Sequence, residues 1–85
     1  MTVYVLLRED QNDYGYVDVS VDGVFREESD ATRRLEEERH TARIQGLRLC
    51  GDDDVDDGDW QVAWSIEHHS VKEPSASRQT LNIRP

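Results

Sequence analysis

The stretch that decides the fold is WQVAWSIEHHSV, residues 60–71. Trp60, Val62, Trp64 and Ile66 occupy every second position, and small or polar residues stand between them. A period of two is typical of a β-strand that places one face against a core. We therefore predict a strand here, and this is the strongest strand signal in the chain.

Two runs near the N-terminus have the same character. VYVLLR, residues 3–8, is rich in β-branched and aromatic side chains, and YVDVSVDGVF, residues 16–25, alternates valine with aspartate or serine. A short polar segment, EDQNDYG, separates the two runs. We predict that they pair as an antiparallel hairpin.

A helix is predicted between this hairpin and the strand at residues 60–71. It runs from about Glu28 to Gln45 and ends at Gly46, a residue type that commonly closes helices. Its apolar stripe is thin and consists of Ala31, Leu35 and Ala42, helped by Ile44. A helix with so few apolar residues is only marginally stable by itself, so we expect it to be held by packing on a sheet.

The segment GLRLC, residues 46–50, predicts a fourth short strand, which makes the acidic stretch after it the loop of a second hairpin. The predicted fold is α+β: an antiparallel four-stranded sheet in the order β-β-α-β-β, with one helix packed on one face. We assign residues 1–71 to a single domain and residues 72–85 to a polar C-terminal tail. Thr80 to Ile83 in that tail could add an edge strand and join copies of the chain into a homo-oligomer.

The runs VYVLLRE, YVDVSVDGVF and WQVAWSIEHHSV, with Ala31 in the helix between them, carry a resemblance. Together they resemble a loose group of short, uncharacterised bacterial and bacteriophage proteins. The resemblance covers residues 3–71 and includes the step Gly23, Val24, Phe25. It implies a small α+β fold and a phage or mobile-element origin, and it brings no catalytic motif.

Composition limits the classes of partner. The chain has 85 residues and a formal net charge of −9, which argues against nucleic acid or an anionic membrane as a direct partner. No apolar run approaches the ~20 residues that cross a bilayer, and the N-terminus has no basic leader. Cys50 is the one cysteine, so no internal disulfide can form. These features predict a cytoplasmic protein.

The acidity is concentrated in GDDDVDDGDW, residues 51–60, where six aspartates fall within eight positions. Without those six, the chain would have 13 acids against 10 bases. A local charge of this size projects a field over roughly a Debye length, ~10 Å at 0.1 M salt, and attracts basic surfaces. We predict that this loop binds a basic surface of a host protein. The predicted partner-binding residues are Asp52, Asp53, Asp54, Asp56, Asp57, Asp59 and Trp60.

Three other interpretations of the same loop stay open. It could be a solvated turn, a mimic of nucleic-acid phosphates that inhibits a nucleic-acid-binding protein, or a weak divalent-cation site. An EF-hand register fails, because it places Val55 and Trp64 where oxygen ligands are required. A looser cation site would use Asp52, Asp54, Asp56 and Asp59.

Catalytic signatures are missing from the sequence. It has no serine elbow, no glycine-rich phosphate cradle and no acid pair at a recognisable spacing. The expected protein is therefore a non-enzymatic binding module that uses no cofactor.

Overall fold

The computed structural model describes residues 1–71. These residues form one helix and three strands in the order β-β-α-β. The elements are β1 (Thr2–Gln11), β2 (Val17–Phe25), α1 (Glu28–Ile44) and β3 (Val62–Ser70). The α+β class predicted from the sequence is confirmed.

The three strands form one antiparallel sheet with β1 in the centre, in the order β2-β1-β3. The predicted hairpin of β1 and β2 is confirmed, and Asn12 closes its turn. The side-chain oxygen of Asn12 accepts hydrogen bonds from the backbone N–H groups of Tyr14 (2.9 Å) and Tyr16 (3.0 Å). This is the local bonding for which asparagine is common in turns.

The predicted four-stranded sheet and β-β-α-β-β order are not confirmed. Residues 47–50 form no strand, and Leu49 makes only an isolated bridge to Val62, which is parallel. Parallel neighbours cannot be joined by a tight hairpin, so the acidic stretch between them is a crossing loop and not a hairpin tip. The predicted strand at Thr80 to Ile83 lies outside the described residues.

The helix packs on one face of the sheet, and the core lies between the two layers. Its fully buried apolar side chains are Leu6, Ala31, Ala42, Leu49 and Val62. Leu47 and Trp64 are partly buried against this cluster. Ala31 and Ala42 confirm the predicted stripe, whereas Ile44 is 73% exposed and does not belong to it. Small residues in α1 bring the helix close enough to the sheet to exclude water.

A β-bulge in β2 changes which side chains face the helix. Leu6 pairs with Gly23 and Leu7 pairs with Val21, so Asp22 is an extra residue in the ladder. The Asp22 carboxylate lies on the helix side, where it accepts a hydrogen bond from the Trp64 indole nitrogen at 3.2 Å. It also lies 3.8 Å from the Arg34 guanidinium. The bulge therefore adds a polar tie between sheet and helix.

The opposite face of the sheet has no second layer among residues 1–71. Alternation and the strand register put Val17, Val19, Val21 and Val24 on this face, and all four are exposed. On β1, Val3, Val5 and Leu7 lie beside them and are half-buried. We call these seven residues the valine face.

No helix within residues 1–71 is both long and apolar enough to cross a membrane.

Candidate functional site

The acidic loop, residues 51–60, begins at a carboxylate that is tied to the helix. Asp52 accepts hydrogen bonds from the Arg43 guanidinium at 2.9 Å and 3.1 Å, a bidentate pair. The Arg39 guanidinium lies 3.6 Å from the same carboxylate. The two arginines are four residues apart, so they lie on one face of α1. Asp52 is thus a structural anchor and not a free charge.

Electrostatics at this anchor agree with the geometry. The hydrogen bond from Arg43, followed by the charges of Arg43 and Arg39, holds the pKa of Asp52 below its usual range against an opposing desolvation effect. The hydrogen bond to Asp52 likewise raises the pKa of Arg43, and the charges of Asp52, Glu36 and Asp54 add to that effect. Both groups are therefore charged at neutral pH.

Backbone hydrogen bonds join the base of the loop to β3. Cys50 donates its N–H to the Val62 carbonyl at 3.0 Å, and Gln61 donates its N–H to the Arg48 carbonyl at 2.8 Å. The Arg48 N–H in turn donates to the side-chain oxygen of Gln61 at 2.9 Å. These bonds hold the two ends of the loop side by side, next to the buried side chain of Leu49.

Two side chains hold the far end of the loop through its carbonyl oxygens. The Gln11 amide donates to the carbonyls of Gly58 (2.9 Å) and Trp60 (2.8 Å). The Arg48 guanidinium donates to the Asp59 carbonyl at 2.7 Å. Because these contacts use only backbone acceptors, they leave the Asp59 carboxylate available to solvent.

Successive tight turns form the interior of the loop. Val55 donates its N–H to the Asp52 carbonyl and Asp59 donates its N–H to the Asp56 carbonyl, each at 3.0 Å. Gly51 has a φ of 94°, a conformation that L side chains rarely adopt. The loop is short, hydrogen-bonded along its length and fixed at both ends, so its carboxylates project from a defined backbone.

The structure divides the seven predicted partner-binding residues into three groups. Five aspartates are exposed: Asp53, Asp54, Asp56, Asp57 and Asp59. Asp52 is tethered to Arg43 and Arg39. Trp60 is half-buried, and its carbonyl is used by Gln11. It lines an open cleft of about 340 Å³ with Gln11, Tyr14 and Arg48.

Within residues 1–71, no three histidine, cysteine, aspartate or glutamate side chains come together as a group that could hold a metal ion. The predicted loose cation site used Asp52, whose two oxygens already accept from arginine. A cation there would have to displace two positive groups. The geometry therefore gives the divalent-cation alternative no support.

Sequence reasoning identified the acidic loop but missed the residues that shape it. Arg39 and Arg43 could have been found from their spacing of four residues near the end of the predicted helix. Gln11 and Arg48 gave no such signal, because their contacts to the loop are to backbone carbonyls.

Comparisons of the chain with protein-family models, with curated proteins and with solved structures found no match. The resemblance to short bacterial and bacteriophage proteins therefore depends on the sequence pattern alone.

Proposed function

We propose that the protein is a non-enzymatic binding module, an accessory protein of a phage or mobile element, that engages a basic surface of a host protein through the acidic loop. The observation that carries this proposal is the separation of roles within the loop. Asp52 holds the backbone against α1, and five neighbouring aspartates are left exposed. A charged group held in a fixed conformation loses less entropy on binding than one in a mobile chain.

The arrangement of the arginines supports the same proposal. Arg33, Arg34, Arg39 and Arg43 on the helix each lie within ion-pair distance of a carboxylate. Arg33 and Arg34 are balanced by carboxylates outside the loop, whereas Arg39 and Arg43 share Asp52 alone, so the outward negative charge of the loop comes from its five exposed aspartates. A basic partner would meet a surface whose outward charge is predominantly negative.

The loop can be tested separately from its anchor. The loop variant changes the five exposed aspartates to asparagine and keeps Asp52, so the ties to Arg39 and Arg43 persist. Its matched control neutralises five exposed acids outside the loop and so has the same net charge. These control substitutions are Asp18→Asn, Glu27→Gln, Glu28→Gln, Glu37→Gln and Glu67→Gln.

The measurement is the affinity of the three proteins for an arginine-rich peptide at low and high salt, followed by capture from host lysate. Exposed charge pairs contribute about 0.2–1 kcal/mol each, so the loop variant should bind roughly tenfold more weakly or worse at low salt. The control variant should lose distinctly less affinity. Lysate proteins retained by wild type and control, but not by the loop variant, are the expected partners. Equal losses in both variants would show that net charge acts and not the loop, and would refute the proposal.

Nucleic-acid mimicry is the second candidate, and one observation favours it. The charges of Glu36 on the helix and Asp54 in the loop both raise the pKa of Arg43, so acids of two elements lie near the same arginine. Such a surface extends beyond a single loop, as mimicry of a phosphate backbone requires. A mimic should displace DNA or RNA from a captured partner in a competition assay. If excess protein releases no nucleic acid from any captured partner, this candidate is eliminated.

A further inference from the structure

The sheet has an apolar face that no element within residues 1–71 covers. The exposed fractions are 43% for Val17, 59% for Val19, 62% for Val21 and 60% for Val24. The four residues are neighbours along β2 on the same face of the sheet, so their exposed surface is one continuous apolar patch. Continuous exposed apolar patches commonly mark interaction sites.

The β-bulge extends this patch along the whole strand. Without the extra residue at Asp22, alternation would turn Val24 toward the helix and Phe25 toward solvent. With it, Val24 follows Val21 on the open side, and Phe25 packs over Gly23 on the helix side. All four valines of β2 therefore line one surface, next to Val3, Val5 and Leu7 of β1.

Charge is distributed unevenly between the two sides of the molecule. The anchored end of the acidic loop, Asp52, is tied to α1 on the helix side of the sheet, and its far end reaches the Gln11 side chain at the end of β1. On the valine side, the strand register places only two acids, Glu9 and Glu67, and Glu67 lies 3.0 Å from the His69 ring. A basic partner is attracted to the helix side, where the charge is concentrated. The valine side suits a partner surface that is apolar and carries few charges, and the same face of a second copy of the chain is such a surface.

We infer that the valine face binds the same face of a second copy of this chain, sheet against sheet. Such a contact turns the helix sides of the two copies outward, so the acids of α1 and the anchored end of each acidic loop lie away from the interface, which reduces the repulsion between two chains of charge −9. Two twisted sheets packed in this way keep their strands roughly aligned, about 10 Å apart. The inference is independent of the proposed function, since it uses the opposite side of the molecule.

The size of the face indicates a reversible dimer. Thirteen outward side chains of the three strands lie on this side of the sheet, namely the seven of the valine face and six others, counted from the register. A stable interface uses about 20–30 residues on each side, so this contact falls near the small, transient end of the range. We therefore expect a dissociation constant of the dimer in the micromolar range. The dimer should be visible by sedimentation between about 1 µM and 1 mM protein.

The test compares full-length wild type with a threonine variant of the valine face, Val19→Thr, Val21→Thr and Val24→Thr. Threonine keeps the β-branched shape and strand preference of valine, so the sheet should persist, and circular dichroism verifies this. The control is Ile44→Thr, which removes an equally exposed apolar side chain from the helix. We expect wild type and control to dimerise alike and the threonine variant to dissociate at least tenfold more readily.

Three results would overturn the inference. Wild type could remain monomeric up to 1 mM. It could dimerise as strongly after the threonine substitutions, which would indicate pairing elsewhere, for example along the edge of β2 that pairs with no strand among residues 1–71. It could also remain monomeric while Leu81→Ser and Ile83→Ser increase binding of an apolar dye, which would assign the face to the chain's own residues 72–85. If the threonine variant fails to fold, the single change Val19→Thr provides the same comparison with a smaller expected shift.

Discussion

Replacing Leu49 tests whether the segment before the acidic loop is part of the core. Leu49 is 1% exposed and packs with Ala42 and Val62. Leu49→Ala removes three carbon atoms, which corresponds to about 2.4 kcal/mol at ~0.8 kcal/mol per buried methylene. The cavity that remains adds to this, so the expected loss in free energy of unfolding is roughly 3 kcal/mol, within the usual range of about 2–5. A domain of 71 residues has about 4–10 kcal/mol in total, so the loss is severe.

The matched control is Ile44→Ala, which also removes three carbons but from a side chain that is 73% exposed. Its effect should stay within about 0.5 kcal/mol, because little burial is lost and alanine favours helix. Urea unfolding, followed by the fluorescence of Trp60 and Trp64, measures both. With a slope near 1 kcal/mol per molar urea, the midpoint of Leu49→Ala should fall by about 2–3 M. A loss below 1 kcal/mol, or equal losses in the two variants, would refute the assignment of Leu49 to the core.

Three further predictions concern the anchor of the loop and two glycines. Because the pKa of Asp52 is lowered in the folded protein, the stability it provides is present above the unfolded carboxyl pKa of about 4 and is lost as pH falls through the lower folded value. The difference in urea midpoint between wild type and Asp52→Asn should therefore shrink as the pH falls below about 4. A difference that stays constant with pH would contradict the pairing of Asp52 with Arg43. Gly23→Ala should lower the free energy of unfolding by about 1–3 kcal/mol, because the new Cβ would lie 2.7 Å from the Phe25 ring. In a double-mutant cycle, Phe25→Leu should relieve part of this loss. Purely additive losses would exclude the clash. Gly51→Ala should lower the melting temperature by about 4–8 °C, which corresponds to ~1 kcal/mol. The cost comes from the backbone, since φ is 94° and the space around the new Cβ is open. An unchanged melting temperature would mean that the loop relaxes.

Patterns with a short period were sufficient to predict the local elements. The alternation in residues 60–71 predicted β3, and the helix-forming run before Gly46 predicted α1 to within a residue at each end. The N-terminal hairpin followed from two alternating runs separated by a polar turn. These features depend on neighbours within a few positions along the chain, which is the range over which propensity and periodicity act.

The error at residues 47–50 has a physical cause. Leu47 and Leu49 alternate as strand residues do, but a run of five residues cannot indicate whether it joins a ladder or only fills a gap in the core. Here Leu49 inserts beside Val62 with a single parallel bridge, and Ala42 of the helix packs against both. That outcome depends on the space left between helix and sheet, which is a property of the assembled layers.

For the acidic loop too, some features followed from the sequence and others only from the tertiary structure. Its composition alone determined that residues 51–60 hold most of the net charge, and that aspartate and glycine would place them in a loop. Only the tertiary structure decided that Asp52 is an anchor while five aspartates are exposed, because Arg39 and Arg43 reach it from another element. Likewise, the alternation of β2 identified an apolar face, but only the packing of α1 on the other side left the valines exposed. Which face is covered depends on long-range contacts, and a strand's own sequence contains no information about the element that will lie above it.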